Sequence, residues 1–170
     1  METRSGVFVM LMNREGKILV AEPIEDGFDL GDKDLRRADF RNVTADGLYC
    51  AGSDLEEADF SHSDLYWLDM YGANCAGASF RSAKLEGVDS KSACLQRADF
   101  SYAVVTHDRL GVPSTFVHAN LEGARFEGAL LSGTEYDDNT IFPEGFDPAS
   151  YGMVRTIRVD DLLEPPCRGK

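Results

Sequence analysis

Counting by fives from position 30 gives Leu30, Leu35, Phe40, Ala45, Cys50, Leu55, Phe60, Leu65, Met70, Cys75, Phe80, Leu85, Ser90, Leu95 and Phe100. Ten of those fifteen are Leu or Phe, although the two types supply only 26 of the 170 residues and chance would place about two. A period of five suits neither an amphipathic helix, which repeats near 3.6, nor a flat strand, whose residues five apart point to opposite faces. The chain has to turn a corner once per pentad. Each pentad is then one short side of a coil, with its central residue i and the residue i−2 both pointing inward. The i−2 site lies in the cramped space beside the corner and needs a small side chain. Ser53, Ala58, Ser63, Ala73, Ala78, Ala83, Ala93 and Ala98 supply it.

The number of sides follows from the next level of repetition, because stacked coils place like residues over like after one full turn. Phe40, Phe60, Phe80 and Phe100 recur at twenty. Four pentads therefore close one coil, and these rings are expected to form a ladder up one wall at the β spacing of about 4.8 Å. A second wall shows the same constraint in reverse. Its centres Cys50, Met70 and Ser90 are undersized, and their i−2 partners Leu48, Leu68 and Val88 are oversized. Large and small have been exchanged along a whole wall, as a close-packed interior of fixed volume requires.

The segments Ala38-Asp39-Phe40-Arg41-Asn42, Ala58-Asp59-Phe60-Ser61-His62, Ala98-Asp99-Phe100-Ser101-Tyr102 and Ala119-Asn120-Leu121-Glu122-Gly123 resemble the A(D/N)LXX unit of pentapeptide-repeat proteins. The resemblance runs from about residue 34 to 141 and implies an all-β fold, a right-handed quadrilateral β-helix. The handedness rests on the resemblance alone. After Val105 the register breaks and resumes one residue out of phase as Phe116, Leu121, Phe126, Leu131, Tyr136 and Ile141. His107 to Ser114, with Gly111-Val112-Pro113, is turn-rich and reads as a loop whose backbone lies outside the ladder and is the expected first site of proteolysis. If the loop replaces a single corner, Phe126 returns to the phenylalanine wall and Leu121 to the wall of Leu35 and Leu55.

The ends differ in kind. Val7 to Met12, the Gly-containing turn Asn13-Arg14-Glu15-Gly16 and Lys17 to Ala21 read as a β-hairpin, and residues 1–28 as an N-terminal β-hairpin cap over the apolar end of the coil. Residues 29–141 form the β-helix, with a loop near 106–115, and residues 142–170 a C-terminal cap and tail. In that last segment Phe142, Phe146 or Tyr151 is expected to plug the final coil, Val154 to Val159 to add a strand, and Pro165 to Lys170 to trail as a loose tail.

Charge and motif content restrict the function classes. Thirty acidic residues against 17 basic ones give a net charge of −13, which argues against binding a phosphate backbone directly and favours a protein partner. The longest apolar run near the start, Val7 to Met12, is too short to span a membrane and has no signal-peptide flanks, so a cytoplasmic location is expected. Cys50, Cys75, Cys94 and Cys167 show no C-x-x-C spacing and read as reduced thiols, mostly small core residues. His62, His107 and His118 fall at an outward repeat position, in the loop and just before Ala119, where solvated histidines are the default. No nucleophile elbow, metal-binding helix motif or phosphate loop is present, so no catalytic residue, metal or cofactor is expected.

Two sets of exposed residues remain as candidate partner surfaces. Asp39, Asp59 and Asp99 share the i−1 column of one wall, where aspartate also stabilises turns. Residues 29 to 141 carry 20 acids and 10 bases. Five to six coils make a rod of roughly 26 Å, over which duplex DNA carries about 15 charges, a comparable density. The second set is Tyr66, Trp67 and Tyr71, with Tyr49 one coil away beside Asp69, a pattern that protein interfaces use as anchors. Trp67 also falls between Gly47 and Gly87, where its ring would cover bare backbone. The reading is a non-catalytic interaction protein that binds and inhibits or protects another protein, a toxin, an enzyme or a topoisomerase, in the manner of an immunity-type inhibitor. The resemblance adds an alternative, a DNA-mimicking protector of a type II topoisomerase. A small hydrolase using the aspartate columns is a distant third, and a second copy bound through a solenoid end is a further partner.

Overall fold

The computed structural model describes residues 11–12, 18–20, 26–157 and 167. Once per pentad a residue adopts the left-handed backbone conformation, at Arg37, Asn42, Gly47, Gly52, Glu57, His62, Trp67, Gly72 and Gly77 in turn. That reversal is the corner the sequence period demands, and four such corners close each coil into a four-sided β-helix. Between corners the backbone is extended and hydrogen-bonds to its neighbours in both directions. Phe60 N–H donates to Ser79 O at 2.7 Å and Ser79 N–H donates back to Ala58 O at 2.9 Å. A register of twenty is thus written into the coils up to residue 106, as in the parallel pairs Asp34 with Asp54 and Asp39 with Asp59.

The N-terminal strands β1 (Leu11–Met12) and β2 (Ile18–Val20) pair antiparallel. The hairpin turn and the segment leading into the first coil, and with them the expected capping contact, lie outside the described residues. In the solenoid, β3 (Thr44–Asp46), β4 (Asp64–Tyr66), β5 (Lys84–Glu86) and β6 (Val104–Thr106) stack as a parallel four-stranded sheet on one wall. The other walls are joined mainly by single-residue bridges. The last sheet pairs β7 (Glu135–Tyr136) with β8 (Val154–Arg155).

The interior has the packing expected of it. Phe40, Phe60, Phe80, Phe100 and Phe126 stack in one column with centroids 4.4, 5.0, 4.8 and 5.3 Å apart and ring planes within 8°. On the exchanged wall, Leu48 and Leu68 fill the space beside Cys50 and Met70, all at 0% exposure. Val88 and Ser90 keep the exchange, and in the next coil it is undone, with Phe116 over Ser90 and Ser114 over Val88. Phe116 meets Phe100 edge-on at 5.5 Å.

Beyond β6 the pairing offset changes from 20 to 26: Asp89 pairs with Thr115, Cys94 with Asn120 and Asp99 with Arg125. The six extra residues sit in one corner, and Phe126 lies on the phenylalanine column. The rod ends where Phe146 tilts over Phe126 at 4.9 Å and stacks on Tyr151 at 4.7 Å. Tyr151 closes a single 3₁₀ turn, Pro148–Tyr151, whose first turn is capped by the Asp147 carboxylate.

Two expectations are corrected. The cysteines are not all reduced thiols: Cys94 and Cys167 form a disulfide across 73 residues, while Cys50 and Cys75 are the fully buried core thiols. The pair shares no spacing motif because the return of the chain end to the fourth coil brings it together. Cys167 is therefore fastened where a loose tail was expected. Nor is every histidine solvated, since His118 is 2% exposed. Its neighbours are the side chains of Asp137 and Asn139 from the following coil.

A ring with stacked neighbours above and below has nowhere to relax, so Phe60→Ala is expected to cost about 3 to 5 kcal/mol and Val88→Ala less. Denaturant unfolding at constant m-value checks this; a Phe60→Ala loss under about 1 kcal/mol would remove the ladder as the source of stability.

Candidate functional site

The repeat places most i−1 aspartates at the start of a corner, where the carboxylate meets the backbone N–H two residues on; Asp64 holds Lys84 instead. Asp39 accepts from Arg41 N–H at 3.1 Å, Asp59 from Ser61 at 3.0 Å, Asp69 from Tyr71 at 2.9 Å and Asp99 from Ser101 at 3.0 Å. These are Asx turns, so the columns have a structural cause that acts in each coil separately.

The wall of Asp39, Asp59 and Asp99 is not a bare acidic stripe. Arg41 lies 2.6 Å from Asp39 and 3.9 Å from Asp59, and both Arg81 and Arg125 reach Asp99, at 3.1 and 2.8 Å. Asp99 itself is 5% exposed. Burial pushes its carboxyl up, but the Ser101 hydroxyl and N–H and the two guanidinium groups outweigh this and hold it below the usual carboxylate range. Carboxylates and guanidinium groups alternate along the surface, and the field a row of phosphates would produce is largely cancelled.

The aromatic set is gathered on one side of the rod. Tyr49 and Asp69 are ladder partners on the exchanged wall, flanked by Asp29 and Asp89. Tyr66 ends β4, Trp67 is the next corner residue, and Tyr71 follows the Asp69 turn. Their exposure is high for large apolar groups: 44% for Tyr49, 45% for Trp67 and 39% for Tyr71. Asp69 is held above the usual carboxylate range, chiefly by burial and further by the charge of Asp89, against which Tyr71 N–H and Lys91 act.

Trp67 is the unusual member. It sits at φ 55° in a corner column otherwise built from Gly27, Gly47 and Gly87, a conformation that costs a bulky side chain about 1 kcal/mol or more. Its ring covers Gly87 so closely that a Cβ there would meet Trp67 Cδ1 at 2.6 Å. Its indole N–H donates to Asp108 Oδ2 at 2.9 Å. Asp108 belongs to the inserted corner, is 1% exposed, and organises that loop. Its Oδ1 accepts from Leu110 N–H at 2.8 Å and Val112 N–H at 2.7 Å. The Tyr66 hydroxyl binds it as well. Burial pushes the carboxyl up, but the hydrogen bonds from Val112, Trp67, Leu110 and Tyr66 prevail and keep it below its usual range. Downstream, the buried Ser114 hydroxyl donates to Thr106 O at 2.6 Å and accepts from Val88 N–H.

The loop is therefore tied down at both ends while its tip stays out in solvent, with Leu110 at 79% and Val112 at 48% exposure. Sequence reasoning singled out Tyr66 and Trp67 but missed Asp108, Leu110 and Val112. The available signal was an aspartate two residues before Leu110 in a loop, which marks an Asx-type turn. Among the described residues no group of three or more His, Cys, Asp or Glu side chains is placed to hold a metal ion, and no helix is long and apolar enough to cross a membrane.

A family model described as pentapeptide repeats matches eight copies, over residues 34–70 and 73–107. None of the curated proteins matches the chain by sequence. Among solved structures, a pentapeptide repeat protein from the Arabidopsis thaliana thylakoid lumen is 35% identical; the match covers 58% of this chain and 68% of that one, at a TM-score of 0.46. A pentapeptide repeat protein of the cyanobacterium Cyanothece is 22% identical over 63% of this chain and 65% of that one, at a TM-score of 0.41. QnrB1, a plasmid-mediated fluoroquinolone resistance protein, is 17% identical over 77% of this chain and 70% of that one, at a TM-score of 0.34.

Because the Asp108 carboxyl is held below its usual range, the loop anchor is complete above the ordinary carboxylate pKa of about 3.9 and is lost only as pH falls through the lower folded value. Trp67 fluorescence is expected to stay constant from neutral pH to about pH 4 and to change below it. Asp108→Ala should show the acid form's fluorescence at neutral pH and open residues 107–114 to protease. Equal cleavage of the variant and the parent protein would remove Asp108 as the anchor.

Proposed function

We propose that this chain, which belongs to the pentapeptide-repeat family, is a non-catalytic binding protein that inhibits or protects a partner protein through the side bearing Tyr49, Trp67 and Tyr71. The observation carrying the reading is Trp67. The repeat would be satisfied by glycine at that corner, yet the position holds the largest side chain available, in a strained conformation, half exposed and braced by a buried aspartate. A rigid aromatic group already held in place loses little freedom on binding, which is the property of an interface anchor. The loop tip Leu110 and Val112 extends the apolar surface beside it.

The surrounding charge suggests what the partner brings. Asp69, with Asp29 and Asp89 in the same ladder, is a partly buried carboxylate whose ionised form is disfavoured, and a cationic side chain of the partner would relieve it. Aromatic faces beside carboxylates also suit arginine. An immunity-type inhibitor of a basic protein is the specific form this takes. Imitation of duplex DNA is less well supported, because Arg41, Arg81 and Arg125 interrupt the aspartate column on which it would depend. Catalysis by that column is less well supported still, since Asp99 is engaged by two guanidinium groups and two Ser101 donors.

Affinity capture from the native host, followed by equilibrium binding with the protein so identified, tests the proposal. Tyr71→Ala and Tyr49→Ala are the discriminating variants, since Trp67→Ala also removes the loop anchor. Each is expected to weaken binding by about 2 kcal/mol, roughly 30-fold, through faster dissociation and with modest salt dependence. Asp39→Asn with Asp59→Asn should have little effect. If the aspartate pair weakens binding steeply with salt while Tyr49→Ala and Tyr71→Ala leave it unchanged in folded protein, the aromatic surface is not the site.

A further inference from the structure

In the preceding coils the outward corner residues next to the exchanged wall are exposed or half-buried. Tyr71 is 39% exposed, and the glycines at 52 and 72 lie open as well. In the fifth coil the same corner is closed: Val117 is 0% and His118 2% exposed, although both follow the outward repeat rule. Part of the cover comes from the following coil. Asp137 accepts from His118 N–H at 2.9 Å, and the Asn139 amide lies 3.0 Å from His118 Nε2. The far end of the chain reaches the same corner, where Cys167 N–H lies 3.4 Å from His118 O. The disulfide to Cys94 keeps Cys167 there. Directly below, the Ser92 hydroxyl is buried without a hydrogen-bond partner, which marks the corner as polar ground covered at some cost.

Cys94 occupies an i−1 position, pointing outward in a column with Asp34, Asp54, Asn74, Asn120 and Ile141. The solenoid does not need the disulfide to hold its ladder at this point. Cys94 N–H donates to Ala73 O at 2.9 Å and Leu95 N–H to Asn120 O at 2.8 Å, both through backbone. The other two cysteines are chemically quiet. Burial pushes the Cys50 thiol up to about 12 and the Cys75 thiol further, so neither forms the thiolate that exchange requires. Thiol chemistry in this molecule is confined to one pair.

We propose that the Cys94–Cys167 disulfide is a redox clasp that keeps the Val117–His118 corner closed while oxidised and opens it when reduced. In opening, a dithiol reductant attacks one sulfur of the pair, passes through a mixed disulfide, and leaves as a cyclic or protein disulfide. Two electrons and two protons end on the Cys94 and Cys167 thiols. In closing, a disulfide oxidant is reduced to two thiols as the clasp reforms. The opened corner presents an imidazole beside an apolar side chain on an otherwise acidic rod.

The three histidines provide an internal control, because His62 and His107 are exposed whatever the state of the clasp. The full chain is treated with diethylpyrocarbonate and, separately, with an alkylating agent, before and after incubation with dithiothreitol, and the modified residues are identified by mass. Oxidised protein is expected to react at His62 and His107 and to be protected at His118 and at all cysteines. Reduced protein should gain alkylation at Cys94 and Cys167 alone and modify His118 faster than the oxidised protein does, though more slowly than His62, because Asp137 and Asn139 stay in place. Cys167→Ser and Cys94→Ser should behave as the reduced protein without reductant. A His118 rate unchanged by reduction and by both variants would overturn the clasp. So would alkylation of Cys50 and Cys75 on reduction, which would make the disulfide a staple of the whole fold.

Discussion

Each coil of this protein hydrogen-bonds directly onto the next, and that single geometric fact fixes what every interior position can hold. Backbone N–H and C=O groups pair at one coil spacing on all four walls, so the cross-section cannot widen or narrow from one coil to the next without breaking the ladder. Interior volume per coil is consequently constant. Phenylalanines on one wall are tolerable because alanines lie beside them at Ala38, Ala58, Ala78 and Ala98. Cys50, Met70 and Ser90 are tolerable on another because Leu48, Leu68 and Val88 fill the difference. When Phe116 appears at the same position in the fifth coil, Ser114 replaces the large neighbour and the sum is restored.

The same constraint explains why an insertion of six residues does no damage to the rod. Extra chain inside a side would shift every later side chain to the wrong face. Extra chain at a corner leaves both flanking sides in register, and the backbone pairs Asp89 with Thr115 as though nothing intervened. The outward-facing loop then has to satisfy its own polar groups. Asp108 does most of this with one buried carboxylate, and it borrows Trp67 and Tyr66 from the coil below as donors.

What could be read from the sequence divides along this line. The interior was legible, down to Phe126 returning to the phenylalanine column, because interior positions obey two periods that are visible in a single chain. The outer surface obeys neither. Trp67 with Asp108, Cys94 with Cys167, and His118 with Asp137 are contacts between residues 41, 73 and 19 apart. Each joins an outward position to an interruption, a terminus or a neighbouring coil, and nothing periodic announces it. The aromatic residues were conspicuous only as departures from the repeat. The bracing of Trp67 and Tyr66 by Asp108 joins residues that no period connects.

The two candidate surfaces therefore carry different weights. The acidic column at i−1 has a local cause in this chain, because Asp39, Asp59 and Asp99 each close their own corner, and on that wall three arginines neutralise much of it. Charge that the fold itself requires, and that its neighbours cancel, says little about a partner. Trp67 has the opposite character. Glycine would fill its corner without strain, as Gly47 and Gly87 do one coil to either side, and the ring's cover of Gly87 would be unnecessary if the column were uniformly glycine. Bracing the loop accounts for the indole N–H but not for leaving almost half of the side chain in water with Tyr49 and Tyr71 close by in the same coils. A strained, braced and half-exposed aromatic group on a convex rod has no cleft to line and no core to fill, and that is why the proposed partner surface is built on it.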